Sequence, residues 1–201
     1  MRKFHLNVLC AMSLSAIVPV FSSGTEAQTF SSSYTSTAEK DCRVKTTGQD
    51  GSTSVCPGRA GLIVLLSEDD LRQTVSVGRT RKAAEREPAA SSGFGPFNWT
   101  TNTIEWRATG GKPFAIIQRW HIADNDDPDK NGHPTDRELL VVTRLPPGEV
   151  CHVAYVDVAA NANPNQLARK AAGEIARSFK CGKDEVRIVG KRGRAVELAT
   201  R

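Results

Sequence analysis

The stretch TIEWRATGGKPFAIIQRWHI, residues 103–122, predicts a β-hairpin. In the first half Ile104, Trp106 and Ala108 alternate with Glu105 and Arg107. In the second half Phe114, Ile116, Gln118, Trp120 and Ile122 fall on one face. A period of two places such residues on one face of a strand. Gly110-Gly111 separates the halves and is a turn signal, because glycine accepts the positive φ angles that tight hairpins require. Two antiparallel strands follow from this pattern.

Strand signals continue on both sides of the hairpin. Residues 62–66 (LIVLL) form a continuous apolar run, which is typical of a strand buried on both faces. Residues 139–142 (LLVV) begin a further strand that Pro146-Pro147-Gly148 ends, and apolar residues alternate again between 150 and 158. Because the links between these segments are short, they favour an antiparallel meander of about six to eight strands.

An amphipathic helix is predicted after these strands. Asn163 suits the N-cap and Pro164 the first helical position. Apolar residues recur every four positions, at Leu167, Ala171, Ile175 and Phe179. This spacing predicts about four turns that end near Gly182, before two short strands at residues 186–189 and 195–198. The predicted fold class is therefore α+β, an antiparallel β-sheet with one long C-terminal helix packed on a face.

The first 27 residues predict a secretory signal peptide. Two basic residues precede a mostly apolar stretch from residue 8 to residue 21, and small residues follow it. An uncleaved membrane anchor is the alternative, although the stretch is short for a bilayer span. Residues 28–41 are rich in Ser and Thr and predict a flexible lead-in. Residues 42–201 predict a single disulfide-stabilised domain with no membrane span.

The charge of the chain does not indicate a nucleic-acid partner. The formal net charge is +5, and the basic residues are spread along the sequence. A spread charge is a weak signal for a polyanion, and no glycine-rich phosphate-binding motif occurs. We therefore expect an unidentified protein or cell-envelope ligand as the partner, and no nucleic acid.

Four cysteines follow the proposed signal peptide, at Cys42, Cys56, Cys151 and Cys181. An even number in an exported chain predicts two disulfides, for which three pairings exist. We favour Cys42–Cys56 and Cys151–Cys181, because each pair brackets a local structural unit. The alternative is a four-cysteine zinc site, but no C-x-x-C spacing occurs.

The segment DPDKNGHPTDRE, residues 127–138, has the spacing of a calcium-binding loop. Oxygen ligands at positions 1, 3, 5, 7 and 12 are supplied by Asp127, Asp129, Asn131, the carbonyl of His133 and Glu138. This order resembles an EF-hand loop over these twelve residues, and the resemblance implies calcium as a cofactor. Two features depart from that family: Pro134 at position 8, and a predicted strand before the loop in place of a helix. The alternative is a solvated turn whose Asp and Asn side chains bond to their own backbone.

The histidines after the signal peptide are His121, His133 and His152, and their spacing matches no zinc motif. His152 shares a strand face with apolar residues, which indicates a hydrogen-bonded core position. His121 and Asp124 are weak candidates for a catalytic pair, because no serine lies in a G-x-S-x-G turn that would accompany them.

Aromatic residues occur in the Gly- and Pro-rich segment 94–99 (FGPFNW). Phe94, Phe97 and Trp99 have less reason to be core in such a segment than in a strand. They predict either the cover of a sheet edge or a contact patch for a partner. Asn98-Trp99-Thr100 also fits the N-glycosylation pattern.

Size, signal peptide and four cysteines together resemble the small exported bacterial proteins that have no assigned activity. The resemblance implies a periplasmic or secreted protein and no catalytic residues. The function predicted is a disulfide-stabilised binding or interaction domain, with calcium as a candidate brace for residues 127–138. The alternative is a cell-envelope hydrolase whose site is not recognisable in the sequence.

Overall fold

The computed structural model describes Met1 and residues 29–48 and 51–201. The proposed signal peptide, residues 1–27, lies outside the described residues apart from Met1, and it stays a prediction.

Strands are the main secondary structure of the described chain. They are β1 (Phe30–Ser36), β2 (Arg43–Thr47), β3 (Gly51–Pro57), β4 (Ile63–Asp69), β5 (Arg72–Gly78), β6 (Asn98–Thr109), β7 (Lys112–Pro128), β8 (Pro134–Arg144), β9 (His152–Asp157) and β10 (Arg187–Ile188). The α-helices are α1 (Arg81–Glu85), α2 (Pro164–Ile175) and α3 (Arg194–Ala199), and short 3₁₀ turns occur at Glu39–Asp41 and Pro88–Ser91.

All ten of these strands belong to one mixed sheet. The strand order is β10-β9-β8-β7-β6-β5-β4-β3-β2, and β1 pairs with β6 outside this path. The β5–β6 and β9–β10 pairs are parallel, whereas the remaining pairs are antiparallel. The predicted central hairpin is present as β6 and β7, and both Gly110 and Gly111 have positive φ angles.

The predicted fold class was wrong. The chain is mostly β, with a ten-stranded mixed sheet and three short helices in its described part, and not a six- to eight-stranded antiparallel sheet under one long helix. The predicted helix exists as α2, but it has twelve residues and covers only part of one face. The segment predicted as the last strand, residues 195–198, is instead the helix α3, whose buried side is formed by Ala195, Val196 and Leu198.

The lead-in predicted to be flexible contains strand β1. This strand pairs with β6 along its whole length, from Phe30↔Thr109 to Ser36↔Thr103. Phe30 also packs on Phe114, with ring centroids 5.4 Å apart. Hydroxyl-bearing residues are compatible with a strand when a neighbour pairs with their backbone. That neighbour lies more than sixty positions along the chain, so local composition did not reveal it.

Buried clusters lie on both faces of the sheet. One face joins strands β3 to β9 with α3, and its buried side chains include Ile104, Trp106, Ile116, Trp120, Ile122, Leu139 and Val141. The other face packs under α2 through Ile117, Leu140, Val142, Val153, Val156, Ala168, Ala171 and Ala172. Successive residues of β8 alternate between the two clusters, as a central strand requires.

Both favoured disulfides are present. Cys42–Cys56 joins the start of β2 to the end of β3, and Cys151–Cys181 joins the start of β9 to the segment after α2. Disulfides persist in oxidising compartments, so this framework fits a secreted or periplasmic protein. Separately, none of the described helices has the length and apolar character needed to cross a bilayer.

His152 is a core residue, as predicted. It is 4% exposed and lies among the rings of Phe94, Trp120 and Tyr155. Its Nδ1 atom is 3.0 Å from the Tyr155 hydroxyl, and its Nε2 atom has no hydrogen-bond partner among the described residues. Burial opposes the charged form of the ring and lowers the pKa of His152 to about 4.

We predict that this histidine destabilises the fold in mild acid. The unfolded chain, with a histidine pKa near 6.5, takes up a proton before the folded chain does. The free energy of unfolding should therefore decrease by about 2 kcal/mol between pH 7 and pH 5. Urea unfolding at several pH values measures this slope. His152→Gln should remove most of it, whereas the exposed control His133→Gln should retain it; equal slopes in the two variants would contradict the assignment.

Candidate functional site

An open apolar hollow of about 340 Å³ lies at the junction of β5 and β6. It is lined by Glu68, Leu71, Phe97, Asn98, Trp99, Ala123, Pro134 and Asp136. These residues come from the β4–β5 turn, from β6 with the segment before it, and from β7 and β8. We refer to this cavity as the junction hollow.

Strand register explains how the junction hollow is formed. The N–H of Ala123 donates to the Phe97 carbonyl at 2.9 Å, and Ala123 pairs with Asp136 on β8. Trp99 lies two residues after Phe97 and pairs with His121, which lies two residues before Ala123 on β7. Residues two apart on a strand share a face, so these side chains stand side by side. Because Ala123 is the small residue among them, it forms the floor of the hollow.

The walls of the hollow are apolar side chains that remain exposed. Leu71 is 60% exposed, Phe97 is 39% exposed and Trp99 is 40% exposed. One ring face of Trp99 stacks on His121, with centroids 5.1 Å apart and planes 3° apart. Exposed aromatic residues on a rigid sheet are typical of contact surfaces.

Leu71 is held in an unusual backbone conformation. Asp70 and Leu71 form the β4–β5 turn with φ angles of 46° and 58°. Tight turns of this kind are ordinarily made by Asn and Gly, because a left-handed backbone is costly for a branched side chain. The strained turn directs an exposed Leu side chain to the hollow, which is the kind of outlier that occurs at functional positions.

Asn98 holds the aromatic segment in place. Its side chain is buried; Nδ2 donates to the carbonyls of Phe94 and Pro96, and Oδ1 accepts from the N–H of Gln73 at 3.1 Å. The Asn98 N–H donates to the Leu71 carbonyl at 3.0 Å. Asn98 therefore ties both walls of the hollow to one point. The same burial means that the folded protein does not present this amide for glycosylation.

Gln73 completes the connection between the two strands. Its Oε1 atom accepts from the Thr100 N–H at 2.7 Å, and its Nε2 atom donates to Glu68 at 2.9 Å. The amide thus joins β5 to β6 beyond their single paired position, Arg72↔Asn98. A parallel pair of strands with one paired position is weakly held by itself, so the Gln73 side-chain bonds provide the connection between β5 and β6.

Acidic residues provide the charge of the junction hollow. Glu68 and Asp136 are its charged lining residues, and burial against neighbouring groups raises the pKa of the Asp136 carboxyl. Arg72 lies beside the hollow, over the Phe97 ring at 4.8 Å, and it is already bonded to Asp70 and to the Gly95 carbonyl.

Two of the three residues of the predicted contact patch line this hollow. Phe97 and Trp99 are exposed there, as the Gly/Pro-rich segment suggested. Phe94 is instead 4% exposed, and its ring packs on Trp120 with centroids 5.0 Å apart. The sequence did not predict Leu71 as a lining residue of the hollow, because the residue types of its turn do not indicate a left-handed backbone.

The structure does not bring His121 and Asp124 together as a catalytic pair. They lie three apart on the regular part of β7, so their side chains point to opposite faces. Asp124 is fully buried and accepts bonds from Arg137 and Arg194, and the Arg194 guanidinium lowers the pKa of Asp124 to about 2. His121 stacks on Trp99 and approaches Glu138 at 4.0 Å.

The acidic loop is the tip of the β7–β8 hairpin. Asp129 accepts from the N–H groups of Asn131 and His133 through Oδ1, and these bonds lower the pKa of its carboxyl. Gly132 has a φ of 82° and donates to the Asp129 carbonyl at 3.0 Å. This is the geometry of a polar turn whose side chains satisfy its own backbone.

The other acidic residues of that loop bond to arginines. Asp127 pairs with Arg137, and Glu138, already inside β8, pairs with Arg119. Within the described residues, no group of three or more His, Cys, Asp or Glu side chains is arranged to hold a metal ion. Calcium binding by residues 127–138 stays a prediction.

No family model matches the chain, and neither the curated proteins nor the solved structures contain a match to it. The function has to be inferred from the site itself.

We predict that Asn98→Ala destabilises the protein by about 2 kcal/mol, because it leaves the Gln73 N–H and two carbonyls without partners. Urea unfolding followed by circular dichroism measures the change. The matched control is Asn102→Ala, since the Asn102 side chain is exposed. Equal stability of the two variants would show that the Asn98 bonds do not hold the junction.

Proposed function

We propose that the chain is an exported, disulfide-stabilised binding domain that contacts its ligand through the junction hollow. The observation that carries this proposal is the exposure of Leu71, Phe97 and Trp99 around one cavity, on backbone held by buried hydrogen bonds. A solvated surface has no need for three large apolar groups in one place.

Rigidity supports a binding role. Loss of side-chain and loop freedom opposes association, so a site that is ordered before binding retains more of its interaction energy. Asn98 and Gln73 fix the backbone beneath the aromatic residues, and His121 holds one ring face of Trp99. The hollow therefore meets its ligand largely preformed.

The volume of the hollow supports a small occupant. Ligand cavities commonly measure roughly 300–1,000 Å³, and the junction hollow, at about 340 Å³, is near the lower limit. It accommodates one ring or a short alkyl chain in contact with Phe97, Trp99 and Leu71. A cell-envelope metabolite or a single side chain of a protein partner meets this description.

We expect a neutral aromatic probe, 2-phenylethanol, to bind saturably and to protect Trp99 from iodide quenching. Trp99 reports this binding because Trp106 and Trp120 are buried. Ala123→Leu should abolish the effect by filling the floor of the hollow. The control Ala159→Leu makes the same change beside a different cavity and should bind as wild type. Absence of saturable binding to the wild type, or persistence of binding in Ala123→Leu, would refute the proposal.

A further inference from the structure

We propose that the junction hollow selects a small organic cation, an alkylammonium or guanidinium group on an apolar body. This inference rests on the proposed function and specifies the chemical class of its ligand. Three independent features lead to it: the sign of the lining charges, the unpaired state of one carboxylate and the exposed aromatic faces.

The lining charges are acidic, in contrast to the chain as a whole. Glu68 and Asp136 are the charged residues among the eight that line the hollow, whereas the full sequence has a formal net charge of +5. Arg72 is paired with Asp70, and Arg137, which follows Asp136, is paired with Asp124 and Asp127. His121 is a further basic group that acts on Asp136, and its effect is to lower the pKa of that carboxyl. The local surface is therefore complementary to a positive charge.

Asp136 differs from the other acidic residues of the β7–β8 hairpin. The others have partners in the structure: Asp124, Asp126, Asp127 and Glu138 bond to arginines, and Asp129 bonds to its own turn. Asp136 is exposed, lines the hollow and has neither a hydrogen bond nor an ion pair among the described residues. Its carboxylate is therefore accessible to a bound cation, and such a cation would oppose the effect of burial, which raises the pKa of the Asp136 carboxyl.

Exposed aromatic rings are a further feature that favours a cation as the ligand. The electron-rich face of Trp or Phe attracts an ammonium or guanidinium group within about 6 Å. The Arg72 guanidinium already occupies such a position over Phe97, at 4.8 Å. Trp99 has one ring face against His121 and remains 40% exposed, so it can offer its other face to a ligand. Trp99 and Asp136 both line the hollow, so a cation bound in it has an aromatic ring and a carboxylate among its lining groups.

The cavity has room for a whole small amine, and we propose a free amine as the source of the cation. A volume of about 340 Å³ suits a free small amine with one ring or a short chain. We therefore assign the site to a small molecule. A basic peptide that binds under conditions where a small aromatic amine does not would overturn this assignment.

Three probes of similar shape test the charge preference directly: 2-phenylethylammonium, 2-phenylethanol and phenylacetate. At low ionic strength we expect the cation to bind about fivefold tighter than the alcohol, and the anion to bind weakest. High salt should reduce the difference between cation and alcohol, because it screens the partly exposed carboxylates. Protection of Trp99 from acrylamide, an uncharged quencher, measures all three affinities.

Two variants distinguish the contribution of the Asp136 charge to binding from the contribution of the cavity itself. Asp136→Asn should reduce binding of the amine to the level of the alcohol and leave the alcohol unchanged. Glu174→Gln, an equal change of charge on an exposed position of α2, should retain the preference of the wild type. Melting temperatures of both variants should stay close to that of the wild type, because Asp136 has no ion pair to lose and the Lys170–Glu174 pair is solvent-exposed.

The outcomes distinguish this inference from the proposed function. Equal affinity of amine and alcohol for the wild type would overturn the cation preference and leave the binding function in place. Failure of both probes to bind would overturn both proposals. A preference for the amine that persists in Asp136→Asn would show that this carboxylate does not recognise the cation.

Discussion

The architecture depends on the side-chain amides of Asn98 and Gln73, each of which accepts a hydrogen bond from the backbone of the other's strand. Strands β5 and β6 pair at one position, and β6 pairs with β1 along its other half. Without a further connection, the unit of β2 to β5 would be joined to β6 to β9 mainly through apolar packing. The two amides add directional hydrogen bonds at the β5–β6 junction, which we call the seam. A buried polar group left unpaired there would cost more free energy than the hydrogen bond contributes. The seam is consequently held in one arrangement.

The junction hollow is a consequence of this seam. Strands β5 and β6 pair only at Arg72↔Asn98, and the hollow lies beside this short junction. Leu71 reaches the hollow from one unit and Trp99 from the other. The apolar core on each side is closed separately, by α3 on one face and α2 on the other. Ligand contacts can therefore be made at the seam without exposing either core.

Local sequence patterns predicted the features that depend on neighbours in the chain. The β6–β7 hairpin, both disulfides, the core position of His152 and the exposure of Phe97 and Trp99 follow from alternation, spacing and composition. The features that were missed depend on distant partners. Strand β1 is polar and is stabilised by β6, and α3 is a short helix whose burial depends on β7, β8 and β9. The role of Asn98 could not be read from a motif, because its partners are backbone groups of two segments, residues 71–73 and 94–96, one of which is distant in sequence.

Stability and function oppose each other in the β4–β5 turn. Left-handed backbone at Asp70 and Leu71 costs free energy, and an exposed Leu side chain recovers little of it by burial. A turn selected only for stability would use Asn-Gly, which adopts this geometry without strain. The strained turn gains nothing for the core, since neither buried cluster includes Leu71. What it does is place an apolar side chain opposite Trp99 at the rim of a cavity that contains an unpaired carboxylate. Backbone strain of this kind occurs at functional positions, and it therefore supports the proposed role of the hollow in recognition.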